Sequence, residues 1–200
     1  AAKHGRGRLR VIAGSQAYPG AARLALEGAS ATGLGWLEAQ LPEPQASQLW
    51  QAMPHVVLAP QGAALDRLDA VVLGPGLGPG GPLPDDVVDL PATLVLDADG
   101  LNRLAAAGEA GAWLRRRRGP TWITPHPAEF ARLFPDLISL PPLEAAAAAA
   151  ERSGAWVLLK GARSLVAAPG GQRWQLAQAS PWAARAGLGD VLAEIGRAHV

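Results

Sequence analysis

Ala70-Val71-Val72-Leu73-Gly74-Pro75-Gly76-Leu77-Gly78-Pro79-Gly80-Gly81 decides the fold class. Its first four residues are apolar and strand-length, with no polar face, as in a strand covered on both sides. Glycines begin where that strand ends, which is where ligands approach the carboxyl edge of an open α/β sheet. Gly76, Gly78 and Gly81 also satisfy G-x-G-x-x-G, with Asp97 and Asp99 about twenty residues further on. Against a dinucleotide clamp, Pro79, Pro82 and Pro84 remove backbone donors that a pyrophosphate would need. Two expectations follow: a clamp of that kind, or a loop that lets another ligand come close to the sheet edge.

Outward from this loop, strand-length apolar runs alternate with stretches that suit helices. Leu9–Gly14, Trp36–Leu41, His55–Ala59, Leu94–Leu96 and Thr121–Ile123 read as strands, and Gly20–Gly33 as an Ala-rich helix. Leu143–Ser153 holds six consecutive alanines and is closed by Gly154, so it reads as a helix with a left-handed stop. Trp156–Leu159 and Ser164–Ala168 flank a Lys160-Gly161 corner and predict a late antiparallel edge. The alternation implies one α/β domain around a mainly parallel sheet.

Composition narrows the function. Of 200 residues, 49% are hydrophobic and 18% charged, enough to build a core and contrary to disorder. Eighteen Lys+Arg against 17 Asp+Glu give a net charge of +1, so no strong field favours nucleic acid or an anionic membrane. No run approaches the roughly 18–20 apolar residues of a membrane span. There is no cysteine, which excludes disulfides, thiolate nucleophiles and Cys-bound zinc. No secretory signal is visible, and a cytoplasmic protein is the expectation. Arg115–Arg118 precedes Gly119-Pro120 and reads as a solvated helix end. The chain starts with Ala, and Gly189–Ala193 reads as a helix opening near its end. Residues 1–193 are expected to be one partial domain. Glu194–Val200 matches what one reading frame of a common sequencing-library adapter encodes, and is expected to be a non-native tail.

Two further motifs bear on chemistry. Gly187-Leu188-Gly189-Asp190 precedes an apolar run; amides entering a helix there suit a phosphate, and Asp190 would take a proton from a hydroxyl beside it. A plain turn with Asp190 at a helix N-terminus fits the same residues. Thr124-Pro125-His126-Pro127-Ala128-Glu129 sits where a strand enters a helix, which suits either ligand contact or capping.

The order of these segments resembles the ADP-dependent NAD(P)H-hydrate dehydratase family. The match runs through His4–Gly7, Ala13-Gly14-Ser15, Tyr18–Ala21, Gly74–Gly78, Asp97-Ala98-Asp99-Gly100-Leu101-Asn102, Thr124–Glu129, Lys160–Ser164 and Gly187–Leu192. The resemblance implies a ribokinase-like three-layer α/β/α sandwich with a mainly parallel central sheet, incomplete at its C-terminus. It implies phosphorylation, at the expense of ADP or ATP, of the hydroxyl on a hydrated NADH or NADPH ring, then loss of phosphate. Position by position, Asp190 becomes the base, with Gly187 and Gly189 facing the transferred phosphate. Lys160, Gly161, Ala162, Arg163 and Ser164 line the adenine nucleotide, while Ala21, Gly78 and His126 meet the hydrated dinucleotide. Glu129 corresponds to an acid that organises Mg2+ through water in related kinases. The resemblance is also compatible with a homo-oligomer and with a fused or separate epimerase.

The family's usual T-G-G-S-G-D is here Arg185-Ala186-Gly187-Leu188-Gly189-Asp190, and Ser180-Pro181-Trp182 replaces an Asn/Gly-rich approach. Leu188 keeps the amide but loses a hydroxyl, and Arg185 puts a cation near the anion site. With the helices beyond Asp190 missing, the chain by itself is expected to be inactive. A small-molecule kinase that releases a stable phosphoester, or a nucleotide-binding relic, would share these motifs.

Overall fold

The structure, a computed structural model, describes residues 7–176. Its elements in chain order are β1 (Arg8–Ile12), α1 (Pro19–Ala31), β2 (Trp36–Gln40), α2 (Gln45–Ala52), β3 (Val57–Leu58), β4 (Ala70–Leu73) and β5 (Thr93–Leu96). There follow α3 (Asp99–Ala106), α4 (Ala110–Arg115), β6 (Thr121–Ile123), α5 (Pro127–Leu133), α6 (Pro142–Ser153), β7 (Trp156–Leu159), β8 (Leu165–Ala167) and β9 (Arg173–Gln175).

Among the described residues these strands form one sheet in the order β3-β2-β1-β4-β5-β6-β7-β8-β9. Pairing is parallel from β3 through β7. It is antiparallel from β7 to β9, where Leu159 opposes Leu165 across the Lys160 corner. The central strands explain the choice. All four residues of β4 are buried, and period-two alternation splits them between two cores. Val71 and Leu73 join Leu94, Leu96, Ile123 and Val157 against α3, α4, α5 and α6. Ala70 and Val72 join Leu9, Val11 and Val95 against α1 and α2. Three layers result, as the sequence implies.

Small residues set the helix spacing. The buried face of α6 is Ala145, Ala146, Ala149 and Ala150, and Gly154 ends the helix in the left-handed region at φ 69°. Trp122, Trp156 and Trp174 come from three strands and stack in sequence, at centroid distances of 4.8 and 5.8 Å.

The arginine run corrects one expectation. Arg115 does cap a helix C-terminus, but that of α6: its guanidinium donates to the Glu151 and Arg152 carbonyls. Arg117 is not solvated. It is 9% exposed and donates to the carbonyls of Val87, Val88, Leu90 and Ala92 and to Thr121 Oγ1. Burial pulls its pKa down to about 10, so it stays charged at neutral pH. Those carbonyls belong to the segment between the glycine loop and β5, where that of Val88 also accepts the Arg118 amide. One fork-shaped donor therefore does the work of a missing strand.

Candidate active site

The carboxyl ends of β1, β4, β5, β6 and β7 lie along one edge of the parallel sheet, and the segments singled out in the sequence follow them there. Asp97, immediately after β5, stands at the centre of this edge and is 1% exposed. Its Oδ1 accepts from Lys160 Nζ at 2.6 Å and from the Ala98 amide at 2.9 Å. Its Oδ2 is buried without a hydrogen-bond partner. Lys160 reaches it from the end of β7, and its amide donates to the Pro125 carbonyl, tying that corner to the loop after β6.

Glu129 approaches from α5 and is 5% exposed. His126 and Glu129 form a reciprocal capping box. His126 Nδ1 accepts from the Ala128 and Glu129 amides at 3.1 and 3.3 Å, while Glu129 Oε2 accepts from the His126 amide at 2.8 Å. With Nδ1 accepting, the neutral ring carries its proton on Nε2, 3.4 Å from Glu129 Oε1. Capping is thus what these residues are seen to do, and they do it at the carboxyl edge of the sheet. Burial raises the Glu129 pKa above its ordinary value, against the opposing pull of the His126 amide, Lys160 and His126; Asp97 raises it further.

Backbone geometry brings these groups together. A side chain at Gly74 would run into the Asp97 carbonyl and the Gly100 amide, so β4 and β5 approach this closely only because residue 74 is glycine. Ala98 has φ 46° and ψ −117°, a conformation that favours glycine and stores about 1–3 kcal/mol of strain. It lies between Asp97 and Asp99 at the turn into α3.

The glycine loop does not form a Rossmann clamp. Such a clamp needs a helix directly after its glycines, whereas here the chain continues through a short 3-10 turn, Asp85–Val87, to β5. The Leu77 amide already donates to the Gly74 carbonyl, and the Gly78 amide to Asp99 Oδ2. What remains is the second expectation, a loop that lets a ligand come close. Gly76 packs on the start of α1, where an added Cβ would stand 2.7 Å from Ala21 Cβ and 2.9 Å from the Tyr18 carbonyl. Ala21 therefore supports this loop from below. A cavity of about 520 Å³ opens beside it, lined in part by Ser15, Gln16, Gln40, Gln61 and Arg103.

Of the sequence-derived site residues, Lys160, Glu129 and His126 come together around Asp97, and Ala21 and Gly78 flank the glycine loop. Gly161, Ala162, Arg163 and Ser164 form the β7–β8 turn beside Lys160. Asp190, Gly187 and Gly189 lie outside the described residues. Sequence reading noted Asp97 and Asp99 only for their spacing from the glycines and as part of the D-A-D match, and gave them no role at this site. Their signal was present, since a D-A-D directly after a fully apolar strand places carboxylates at the ligand edge.

Among the described residues no three His, Asp or Glu side chains form a metal cage. Mg2+ typically uses one or two carboxylates together with substrate phosphates. Asp97, with its unpartnered buried oxygen, and the neighbouring Glu129 fit that habit.

A family model for NAD(P)H-hydrate dehydratase matches residues 9–196. The chain is 43% identical to the Bifunctional NAD(P)H-hydrate repair enzyme Nnr of Gloeobacter violaceus, over 96% of this chain and 40% of that protein. It is 41% identical to the Nnr of Synechocystis sp., over 95% and 38%. It thus spans about 40% of the length of these curated relatives. Among solved structures, the ADP/ATP-dependent NAD(P)H-hydrate dehydratase from Bacillus subtilis, co-crystallised with ATP/Mg2+, superposes with a TM-score of 0.81 at 27% identity. That match covers 97% of this chain and 72% of the other. A ribokinase-like superfamily protein from Enterococcus faecalis shares the fold at TM-score 0.83 and 21% identity, over 98% and 71%. Layer order and the antiparallel β7–β9 edge give the chain the ribokinase-like α/β/α fold. Within that class, the chain belongs to the NAD(P)H-hydrate dehydratase family.

Proposed function

We propose that this chain carries the nucleotide-driven dehydration of hydrated NADH or NADPH, restoring the dihydronicotinamide. The observation that supports this best is the meeting of the Lys160 corner with Asp97 and Glu129 on the same sheet edge as the glycine loop. The nucleotide's phosphates and the hydrated ring thereby have adjoining places.

In this reading Lys160 and the turn through Ser164 hold the adenine nucleotide, and the ring lies over the loop at Gly78 near His126. Asp190 accepts the proton of the ring hydroxyl as its oxygen attacks the terminal phosphorus, and the Gly187 and Gly189 amides stabilise the charge that develops. ADP then leaves as AMP. The phosphate on the ring is a better leaving group than hydroxide. The ring nitrogen's lone pair expels it as the carbon–oxygen bond breaks, and loss of a proton from the adjacent carbon completes the double bond. Bound Mg2+, held by Glu129 and Asp97, would neutralise phosphate charge. The Mg2+ and ATP in the Bacillus subtilis crystals support this use of nucleotide. ADP is the proposed co-substrate, with ATP an alternative.

The bifunctional relatives support an accompanying epimerase, fused or separate, that feeds both hydrate epimers into the reaction. A homo-oligomer and a cytoplasmic location belong to the same proposal. Among the described residues no helix is long and apolar enough to cross a membrane.

The test uses this chain and a chimera that continues it with the matching C-terminal segment of the Gloeobacter relative. Each is incubated with hydrated NADH and ADP or ATP. Recovery of the near-ultraviolet absorbance of NADH, with release of AMP and phosphate from ADP, is the expected result in the chimera. A stable phosphoester without recovery would establish a kinase instead, and binding without turnover a relic.

A further inference from the structure

We propose that Asp99 and Arg103 are positioning residues for the dinucleotide, because together they occupy the backbone N–H and C=O of Gly78 and fix the loop's shape. This inference rests on the functional reading above.

Asp99 is the first residue of α3, which follows Ala98, an N-cap with no capping side chain. Asp99 Oδ2 accepts the Gly78 amide at 2.8 Å. One helical turn later, Arg103 Nη2 donates to the carbonyls of Gly78 and Leu77 at 3.3 and 3.2 Å. Residues four apart share a helix face, so α3 presents an acceptor and a donor side by side to one residue of the loop. Asp99 Oδ1 is braced by Asn102 Nδ2, and Asn102 Oδ1 accepts from Arg132 on α5. The loop is thereby tied to the helix that carries Glu129.

With its N–H and C=O both engaged inside the protein, Gly78 has no amide to spare for a phosphate. What it offers is space. At φ +81° it takes a conformation that suits glycine, and an added Cβ would meet nothing nearer than Ser15 Oγ at 3.8 Å. The open side of this residue therefore suits a flat, uncharged part of the dinucleotide, such as the ring or its ribose, lying against bare backbone.

The test compares the wild-type 200-residue chain with Asp99→Ala, Asp99→Asn and Arg103→Lys. It measures hydrogen exchange at the Gly78 amide and the binding of NADPH and of AMP. Asp99→Ala should speed Gly78 exchange and weaken NADPH binding by about tenfold, the scale of one lost hydrogen bond, while AMP affinity stays within about twofold. Asp99→Asn, which keeps an acceptor oxygen, should restore both, and Arg103→Lys should fall between. The inference is overturned if Asp99→Ala leaves exchange and NADPH binding unchanged. It is equally overturned if that variant weakens AMP as much as NADPH, or if Asp99→Asn behaves like Asp99→Ala. A wild-type chain that binds AMP but no NADPH defeats the functional reading and with it the substrate role, while the exchange rates still decide whether the clamp exists.

Discussion

Replacing Lys160 by Met would leave Asp97 as a carboxylate buried to 1% exposure with a single amide donor, that of Ala98. Removing one partner of a buried ion pair typically costs about 3–5 kcal/mol, because the charge left behind is desolvated and unpaired. For a chain of this size that corresponds to a drop in Tm of roughly 6–20 °C. The reverse change, Asp97→Asn, should be milder, about 1–2 kcal/mol, since the Lys160 side chain is 18% exposed and can turn to water. The double variant removes the orphan and should return close to the Asp97→Asn value. Urea unfolding followed by tryptophan fluorescence reads all three, with the Trp122–Trp156–Trp174 stack as a native-state probe. Equal losses from the two single variants, or a double variant no better than Lys160→Met, would refute the view that Asp97 is the buried partner and Lys160 its shield.

Ala98→Gly should stabilise the protein by about 1 kcal/mol by relieving the positive-φ strain, less the entropy that glycine loses; a lower urea midpoint would contradict this. Because burial raises the Glu129 pKa, the folded state binds that proton more tightly than the unfolded chain. The associated stability is complete below the ordinary value of 4.5 and is lost as pH rises through the raised value. Glu129→Gln keeps an acceptor for the His126 amide, so its Tm should decline less than the wild type's across that window; parallel pH profiles would argue against it. Arg117→Met removes the side-chain donor to the carbonyls of Val87, Leu90 and Ala92, while that of Val88 keeps the Arg118 amide, and should cost about 3–5 kcal/mol in urea unfolding, with Arg117→Lys recovering only part because an ammonium cannot reproduce the fork. An Arg117→Met chain as stable as the wild type would show that water or other donors satisfy those groups.

The layered architecture was legible because it depends on local composition. Runs such as Ala70–Leu73 and Leu94–Leu96 are apolar at every position, and only a strand with helices on both faces can use that. Gly154 announced the end of α6, and the five-residue turn from Lys160 to Ser164 announced the antiparallel edge. Less was visible where the signal was weak. The short α2 puts Ala46 and Leu49 into the core but spans only about two turns, too few for that spacing to stand out in the sequence, and β9 is exposed at all three of its positions.

For the motifs within residues 7–176, the sequence by itself settled which residue types reach the sheet's carboxyl edge, because each follows a strand and parallel strands all end on that side. Tertiary structure alone decided what each group there is free to do. It paired Lys160 with Asp97 across 63 positions of chain, gave the His126 ring to a helix cap, and committed the Gly78 amide to Asp99. Those assignments depend on distances of a few ångströms between segments far apart in sequence. Hydrogen bonding is too short-ranged and too directional for such pairings to leave a trace in local pattern.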